Sequence, residues 1–225
     1  MNFQKFVLTE IQRELPRLGN KKTAAGAEAY MKGVAPFLGV QTPARRALTM
    51  QILKVAGVPT SDELAKTARA LWKLEAREYQ YVATDMMRKF VEVADKDFLA
   101  DHVEYLITQK SWWDSVDSLG TAAVSPLTVK YGCVPLMKKW NKSPNMWLQR
   151  AAIQHQRGRK TETDVALLLK FCDDHSDDHE FFIATAIGWA LRDLAHHDRY
   201  SVTKFLRDHP DLDRVAVREA LKHAK

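Results

Sequence analysis

The amino-acid sequence predicts an all-α protein, and three observations carry that prediction. Glycine and proline are sparse, 9 and 8 in 225 residues, and no run of alternating β-branched residues bounded by turn signals is present. Apolar residues recur at three- and four-residue steps along the chain, the spacing that lines one face of a helix. A helix-sized segment also returns at a nearly fixed interval. The stretches beginning at Glu78 (EYQYVATD), Trp113 (WDSVDSLG), Trp147 (WLQRAAIQ) and Phe182 (FIATAIGW) start 35, 34 and 35 residues apart. One helix pair every ~35–40 residues is the pattern of an α-solenoid, in which each pair buries its apolar side against its neighbours and the inner helices line a concave surface.

The elements follow in order. Phe3, Phe6, Val7 and Ile11 mark one face of a first helix. Thr42-Pro43 is a cap followed by proline in the first helical position, and the helix it opens runs to Gly57. Thr60 and Glu63 have capping-box spacing and open a helix through Leu64, Ala68 and Leu71. Ser111 with Asp114 and Thr161 with Asp164 repeat the hydroxyl-x-x-acid signal, and Ser143-Pro144 repeats cap-then-proline. About a dozen helices account for the chain. No linker or low-complexity tract divides it, so residues 1–225 read as a single domain.

Composition excludes several classes. Apolar residues are 46% and charged residues 28%, too apolar for disorder and ordinary for a soluble globular protein. No uncharged apolar stretch approaches the ~18–20 residues of a membrane helix, and the first residues, MNFQKFVLTEIQRELPRL, lack a signal peptide's apolar block. Two cysteines, Cys133 and Cys172, make no disulfide framework, which points to the reducing cytoplasm. Lys and Arg number 34 against 28 Asp and Glu, a net +6. Such an excess attracts polyanions, nucleic acid first among them, although a basic protein without such a partner carries the same charge.

The most informative segment is Lys110-Ser-Trp-Trp-Asp-Ser-Val-Asp-Ser118. With Ser111 as cap, Trp113 and Asp117 lie one turn apart on the same face, while Trp112, about 100° around the axis, can turn to the core. Asp114 is explained as a first-turn acid favoured by the helix dipole; Asp117, nearly two turns in, is not. A carboxylate beside an indole face is unusual on a surface built only for packing. In the next segment Arg150 sits on the helix, with Arg157, Arg159 and Lys160 after it. Arginine grips phosphate through its planar fork; the alternative, a surface residue in an exposed turn, fits the last three better than it fits Arg150. Trp189 and Arg192 share a face of the last segment, where Gly188 costs ~1 kcal/mol relative to alanine and so points to close approach of another group. Cys172, His175 and His179 have ligand types but no evident fourth partner. Gly158-Arg-Lys-Thr161 lacks the first glycine and preceding strand of a phosphate loop, and His196-His197 are dipole-favoured late-turn residues.

With these residues in view, the chain resembles the AlkD-type DNA alkylation repair glycosylases, a HEAT-like repeat family. The resemblance runs in order through AYMKGVAPFLGVQTPARRALT, LWKLEAREYQ, TQKSWWDSVDS, NMWLQRAAI and FFIATAIGWALRDLA, covering nearly the whole chain. It implies a single-domain α-solenoid with a concave, basic face for duplex DNA. It implies a monofunctional glycosylase, hydrolysing the N-glycosidic bond of positively charged purines such as 3-methyladenine and 7-methylguanine without metal or organic cofactor. It assigns the catalytic carboxylate to Asp117, flanking indoles to Trp113 and Trp189, and DNA contacts to Tyr30, Arg150 and Arg192. The expected partner is alkylated double-stranded DNA, with no membrane involved, and nothing demands more than a monomer. QHQRGRK, after Arg150, is less apolar than the family's helix continuation. The alternative is a catalytically inactive solenoid that binds DNA or protein as a scaffold; a third, RNA-binding solenoid would prefer RNA at matched salt.

The residue types suit that chemistry. A cationic alkylpurine is already a good leaving group, so no strong general acid is needed. Bond rupture builds oxocarbenium character on the sugar, which a nearby carboxylate stabilises, and the same group can position or deprotonate water. Indole faces hold cations at about 1–2 kcal/mol each when desolvated.

Overall fold

The structure, a computed structural model, describes residues 2–222. Among the described residues every regular element is helical, as the composition and periodicity require, and no strand is present. The chain divides into two compact units, Met1–Leu127 and Thr128–Lys225.

The first unit contains α1 (Phe3–Glu14), α2 (Lys21–Tyr30), α3 (Thr42–Ala56), α4 (Ser61–Lys73), α5 (Arg77–Phe90), α6 (Glu104–Thr108) and α7 (Trp113–Leu119). Asn2 caps α1 by accepting the Lys5 N–H at 2.8 Å. That places Phe3, Val7 and Ile11 in the core, with Phe6 half-buried, and α1 packs across α3 and α4. α4 opens on the full capping box: the Glu63 N–H donates to Thr60 Oγ1 at 3.2 Å and the Thr60 N–H to Glu63 Oε2 at 2.9 Å. α3 ends at Gly57, whose φ of 85° is the left-handed conformation the sequence marked as a stop. α5 packs on α3, α4 and α7. A π-helical turn, Leu99–Val103, leads into α6, and a second, Gly120–Val124, follows α7 without a break; α8 (Ser125–Tyr131) comes next.

The second unit contains α9 (Val134–Asn141), α10 (Met146–Gln154), α11 (Val165–Asp173), α12 (Phe181–Ala195), α13 (Arg199–Asp208) and α14 (Arg214–Leu221). α12 is its central element, packed against α10, α11, α13 and α14. Its Ile183, Ala184, Ala186, Ile187, Ala190 and Leu191 are buried, as expected of a helix apolar on most sides.

Several helix starts differ from their hydroxyl signals, α3 by beginning one residue earlier and the others by beginning later. α3 begins at Thr42 itself with Gln41 in the cap position. α10 is capped by Asn145, whose side chain accepts the Trp147 N–H at 2.9 Å, because Ser143 Oγ is occupied in accepting the Asn145 N–H. α11 is capped by Asp164, accepting the Leu167 N–H at 3.0 Å, while Thr161 lies inside a 3₁₀ turn, Lys160–Glu162. α7 is preceded by Trp112, because Ser111 Oγ donates back to the Ile107 carbonyl at 2.6 Å and closes α6 instead. At α10 and α11 the polar residue nearest the apolar run satisfies the first amides, whereas α3 and α7 open without a side-chain cap.

The repeat interval is better preserved than the caps. α5, α7, α10 and α12 start at Arg77, Trp113, Met146 and Phe181, each within one residue of the segments singled out by sequence. Side-chain bonds inside each unit span similar separations: Arg77 to Asp114, Arg150 to Thr185, Asn141 to Asp174 and the Gly158 N–H to Asp193. Among the described residues no helix is long and apolar enough to cross a membrane.

Candidate functional site

In the first unit, α7 carries Trp113 and Asp117 one turn apart, as the spacing predicts. Both are half-buried, as is Trp112, which does not turn wholly into the core. The late start of α7 makes Asp117 its fifth residue, so the carboxylate lies nearer the positive end of the helix than a Ser111 cap would allow. Tyr30, at the end of α2, is 71% exposed and meets the Trp113 ring edge to face at 6.1 Å and 82°. Tyr30, Trp113 and Asp117 therefore belong to one side of one unit: two electron-rich rings and a carboxylate.

This arrangement rests on two adjacent residues at the start of α5. Arg77 is 1% exposed and forks onto Asp114, with Nε to Oδ2 at 2.8 Å and Nη2 to Oδ1 at 2.6 Å. Its Nη1 donates to the Lys110 carbonyl at 2.7 Å, and Tyr81 Oη donates to Asp114 Oδ2 at 2.6 Å. Burial, then the charge of Asp114 and the bond to it, push the Tyr81 phenol well above its ordinary range, which keeps it a donor. Asp114 is thus a buried anchor for the first turn of α7, more than a dipole-favoured surface acid. Glu78, the next residue, is also buried and accepts the backbone N–H groups of Leu38, Gly39 and Val40 at 3.0, 2.8 and 3.1 Å. Those bonds order the loop that follows Tyr30. At Gly39, φ is 80° and a Cβ would overlap the Asn20 carbonyl, so only glycine serves there.

Sequence reasoning missed both supports. It also missed a basic cluster on α3 and α5: Asp85, 4% exposed, accepts from Arg45 Nε, Arg46 Nε and Arg88 Nη1, each at 3.2 Å. Three guanidiniums on one carboxylate leave a positive excess, and the side chains of Arg46 and Arg88 are 56% and 42% exposed. The Arg45-Arg46 pair was the only visible signal, and a partner forty residues away leaves none.

In the second unit, Trp189 on α12 is half-buried, and the guanidinium carbons of Arg150, Arg157 and Arg192 lie 5.1, 5.1 and 5.9 Å from its ring centroid. Arg150 is 1% exposed. Its Nη1 donates to the Phe182 carbonyl at 2.6 Å and to Thr185 Oγ1 at 2.9 Å. Arg157 Nη1 donates to Gln154 Oε1 at 2.8 Å. The expectation of an exposed turn after Arg150 holds for Lys160 alone: Arg157 and Arg159 are half-buried, drawn in by the indole ring and by Thr128 Oγ1, which accepts from Arg159 Nη2 at 2.5 Å. The Trp189 indole N–H donates to Glu219 Oε2 on α14 at 3.1 Å, and Arg192 Nη1 donates to the same oxygen at 3.3 Å. The close approach inferred at Gly188 is real: a Cβ there would sit 2.6 Å from Glu219 Cβ and 2.7 Å from the Ala216 carbonyl oxygen.

The minor motifs are dispersed. Cys172 is fully buried, His175 Nε2 lies 2.9 Å from the Asn141 carbonyl, and His179 pairs with Asp213 at 3.4 Å. Among the described residues no group of three or more His, Cys, Asp or Glu is arranged to hold a metal ion.

The model of a family described as DNA alkylation repair enzyme matches residues 11–224. A solved structure described as "Predicted DNA alkylation repair enzyme from Enterococcus faecalis" is 30% identical, with a TM-score of 0.85 over 91% of this chain and 96% of that one. No curated protein matches. A family match over nearly the whole length, with the backbone of a 30% identical relative, places this chain in the DNA alkylation repair enzyme family.

Proposed function

We propose that the protein is a monofunctional DNA glycosylase that removes positively charged N3- and N7-alkylpurines from duplex DNA. The observation that carries the reading is the Tyr30–Trp113–Asp117 set: a half-buried carboxylate one turn from an indole that is itself packed by an exposed phenol, in a member of a DNA alkylation repair family.

The chemistry follows from charge. In a 7-methylguanine or 3-methyladenine nucleotide the base carries a full positive charge. As the bond from C1′ to nitrogen breaks, its electron pair moves onto the base and neutralises it, while positive charge develops on the sugar. Asp117 stabilises that charge and orients a water whose oxygen bonds to C1′, with the water's proton passing to the carboxylate or to solvent. Trp113 and Tyr30 present π faces that favour the cationic base. Trp189 belongs to a different environment, since three arginines already engage its ring. We assign it to the sugar–phosphate backbone, with Arg192 at the phosphate and the buried Arg150 as a support for the ring. Arg46 and Arg88 offer further phosphate contacts on the first unit.

The test is direct. The purified protein is incubated with methylated duplex DNA, and freed bases are identified by mass; release of 7-methylguanine or 3-methyladenine, leaving an abasic strand, is expected. Duplex binding without base release would overturn the reading in favour of a silent scaffold, and tighter binding to RNA at matched salt would favour an RNA-binding role.

A further inference from the structure

We infer that Glu219, on α14, is the positioning residue for Trp189 and Arg192. The inference rests on the glycosylase reading for its consequence in activity, but its geometry stands independently. Glu219 is 9% exposed, and one of its oxygens, Oε2, accepts both the Trp189 indole N–H and the Arg192 guanidinium. An indole has a single N–H, so a buried acceptor there fixes the tilt of the ring plane, which packing against apolar neighbours alone leaves free to adjust.

Charge supports the same role. Three guanidiniums crowd the Trp189 ring, and one of them, that of Arg192, is held by the same Glu219 oxygen that accepts the indole N–H. Burial raises its carboxyl, but the bond from Trp189 and the charges of Lys222, Arg192 and Arg218 outweigh burial and hold it below the ordinary range. The group is therefore ionised at any pH near neutral. A carboxylate placed to bind DNA directly would repel phosphate, whereas the charge of this one is matched by Arg192 and, at 3.5 and 3.9 Å, by Arg218 and Lys222.

The backbone is built for the contact. Gly188, next to Trp189, lets α14 come so close that a Cβ would overlap Glu219 Cβ and the Ala216 carbonyl. Ala216 and Ala220 are buried beside it, small residues that permit the approach. A helix-interior glycine, unfavourable for the helix by itself, thus brings this one carboxylate under this one indole. The C-terminal helix is in this view part of the working surface of the second unit, acting through Trp189 without touching DNA.

Two variants and two readouts test the inference. In Glu219→Ala the indole N–H loses its acceptor; in Glu219→Gln the amide oxygen keeps it. The first readout needs no activity. The Trp189 indole N–H resonance, assigned by its loss in Trp189→Phe, should shift and exchange with solvent tenfold or more faster in Glu219→Ala, and stay within threefold of wild type in Glu219→Gln. The second is single-turnover base release, expected to fall tenfold or more in Glu219→Ala and to recover to within threefold in Glu219→Gln, while affinity for unmodified duplex changes less than threefold in both. An unmoved resonance in Glu219→Ala, or equal losses of rate and affinity in both variants, overturns the inference. If wild-type protein releases no base, the glycosylase reading fails while the resonance still decides the positioning role.

Discussion

The two units use the same kinds of residue in opposite arrangements. In the first, a buried arginine supports the helix that carries the indole: Arg77 lies beneath α7, bound to Asp114, and Trp113 and Asp117 are half-buried one turn apart on that helix. In the second, a buried acid supports the indole itself: Glu219 accepts the Trp189 N–H, and the guanidiniums of the buried Arg150 and the half-buried Arg157 and Arg192 gather around the ring. One indole thus stands one helical turn from a carboxylate, and the other stands among guanidiniums. The difference teaches that the Trp-plus-acid or Trp-plus-Arg pattern of a sequence does not set the polarity of a site. The side of the ring on which each ion is buried sets it.

The contrast is most easily broken at Arg77. Replacing it by Met leaves Asp114 buried without its partner, a defect worth about 3–5 kcal/mol, and chemical denaturation should show that loss. Replacing both residues by apolar ones should recover much of it; if Arg77→Met is neutral, the fork is not what anchors α7. Next in size is Asp117→Asn, which should lower single-turnover base release by about 10²–10³-fold with duplex affinity nearly unchanged. A full rate in that variant removes the chemistry from the first unit.

The second unit responds to acid through His155, 2% exposed between α10 and Phe171. Burial pushes its pKa down to about 4, against a weaker upward pull from its bond to the Ala152 carbonyl. The native imidazole is therefore neutral where the unfolded one, ordinary at about 6.5, takes up a proton. Stability is fully present above the unfolded value and is lost as pH falls from about 6.5 to about 4, by at most about 1.4 kcal/mol per pH unit. His155→Gln should flatten that slope in a pH series of denaturation curves; an unchanged slope would move the cause elsewhere. The smallest effect is at Arg192: its alanine variant should weaken duplex binding roughly fivefold and reduce the salt dependence by about one phosphate contact. If the salt slope does not change, Arg192 serves the protein and not the phosphate.

Much of the fold was legible because helix periodicity and repeat spacing are local signals. The starts of α5, α7, α10 and α12 were found to within a residue, and the Gly57 stop and the Thr60–Glu63 box were read correctly. Caps at Ser111, Ser143 and Thr161 were misplaced because a hydroxyl has several backbone partners in reach, and the choice among them depends on how the preceding turn ends. The candidate side chains were legible as types, and Gly188 as a point of close approach. Their partners were not. Arg77 lies 37 residues from Asp114 and Glu219 lies 30 from Trp189, and nothing in either local sequence distinguishes a buried clamp from a solvated charge.

The π-helical turn at Gly120–Val124 has a bearing on how this chain tolerates change in length. It holds one residue more per turn than its flanks, and Ala122, Ala123 and Val124 within it are locked into the core. A regular helix crosses the same span with one residue fewer, so deleting a single residue there lets the wide turn relax with its flanks still in phase, and the indole and carboxylate of α7 keep their shared face. A larger side chain at Ala122 or Ala123 instead meets packed core, so this stretch tolerates a change of length better than a change of volume.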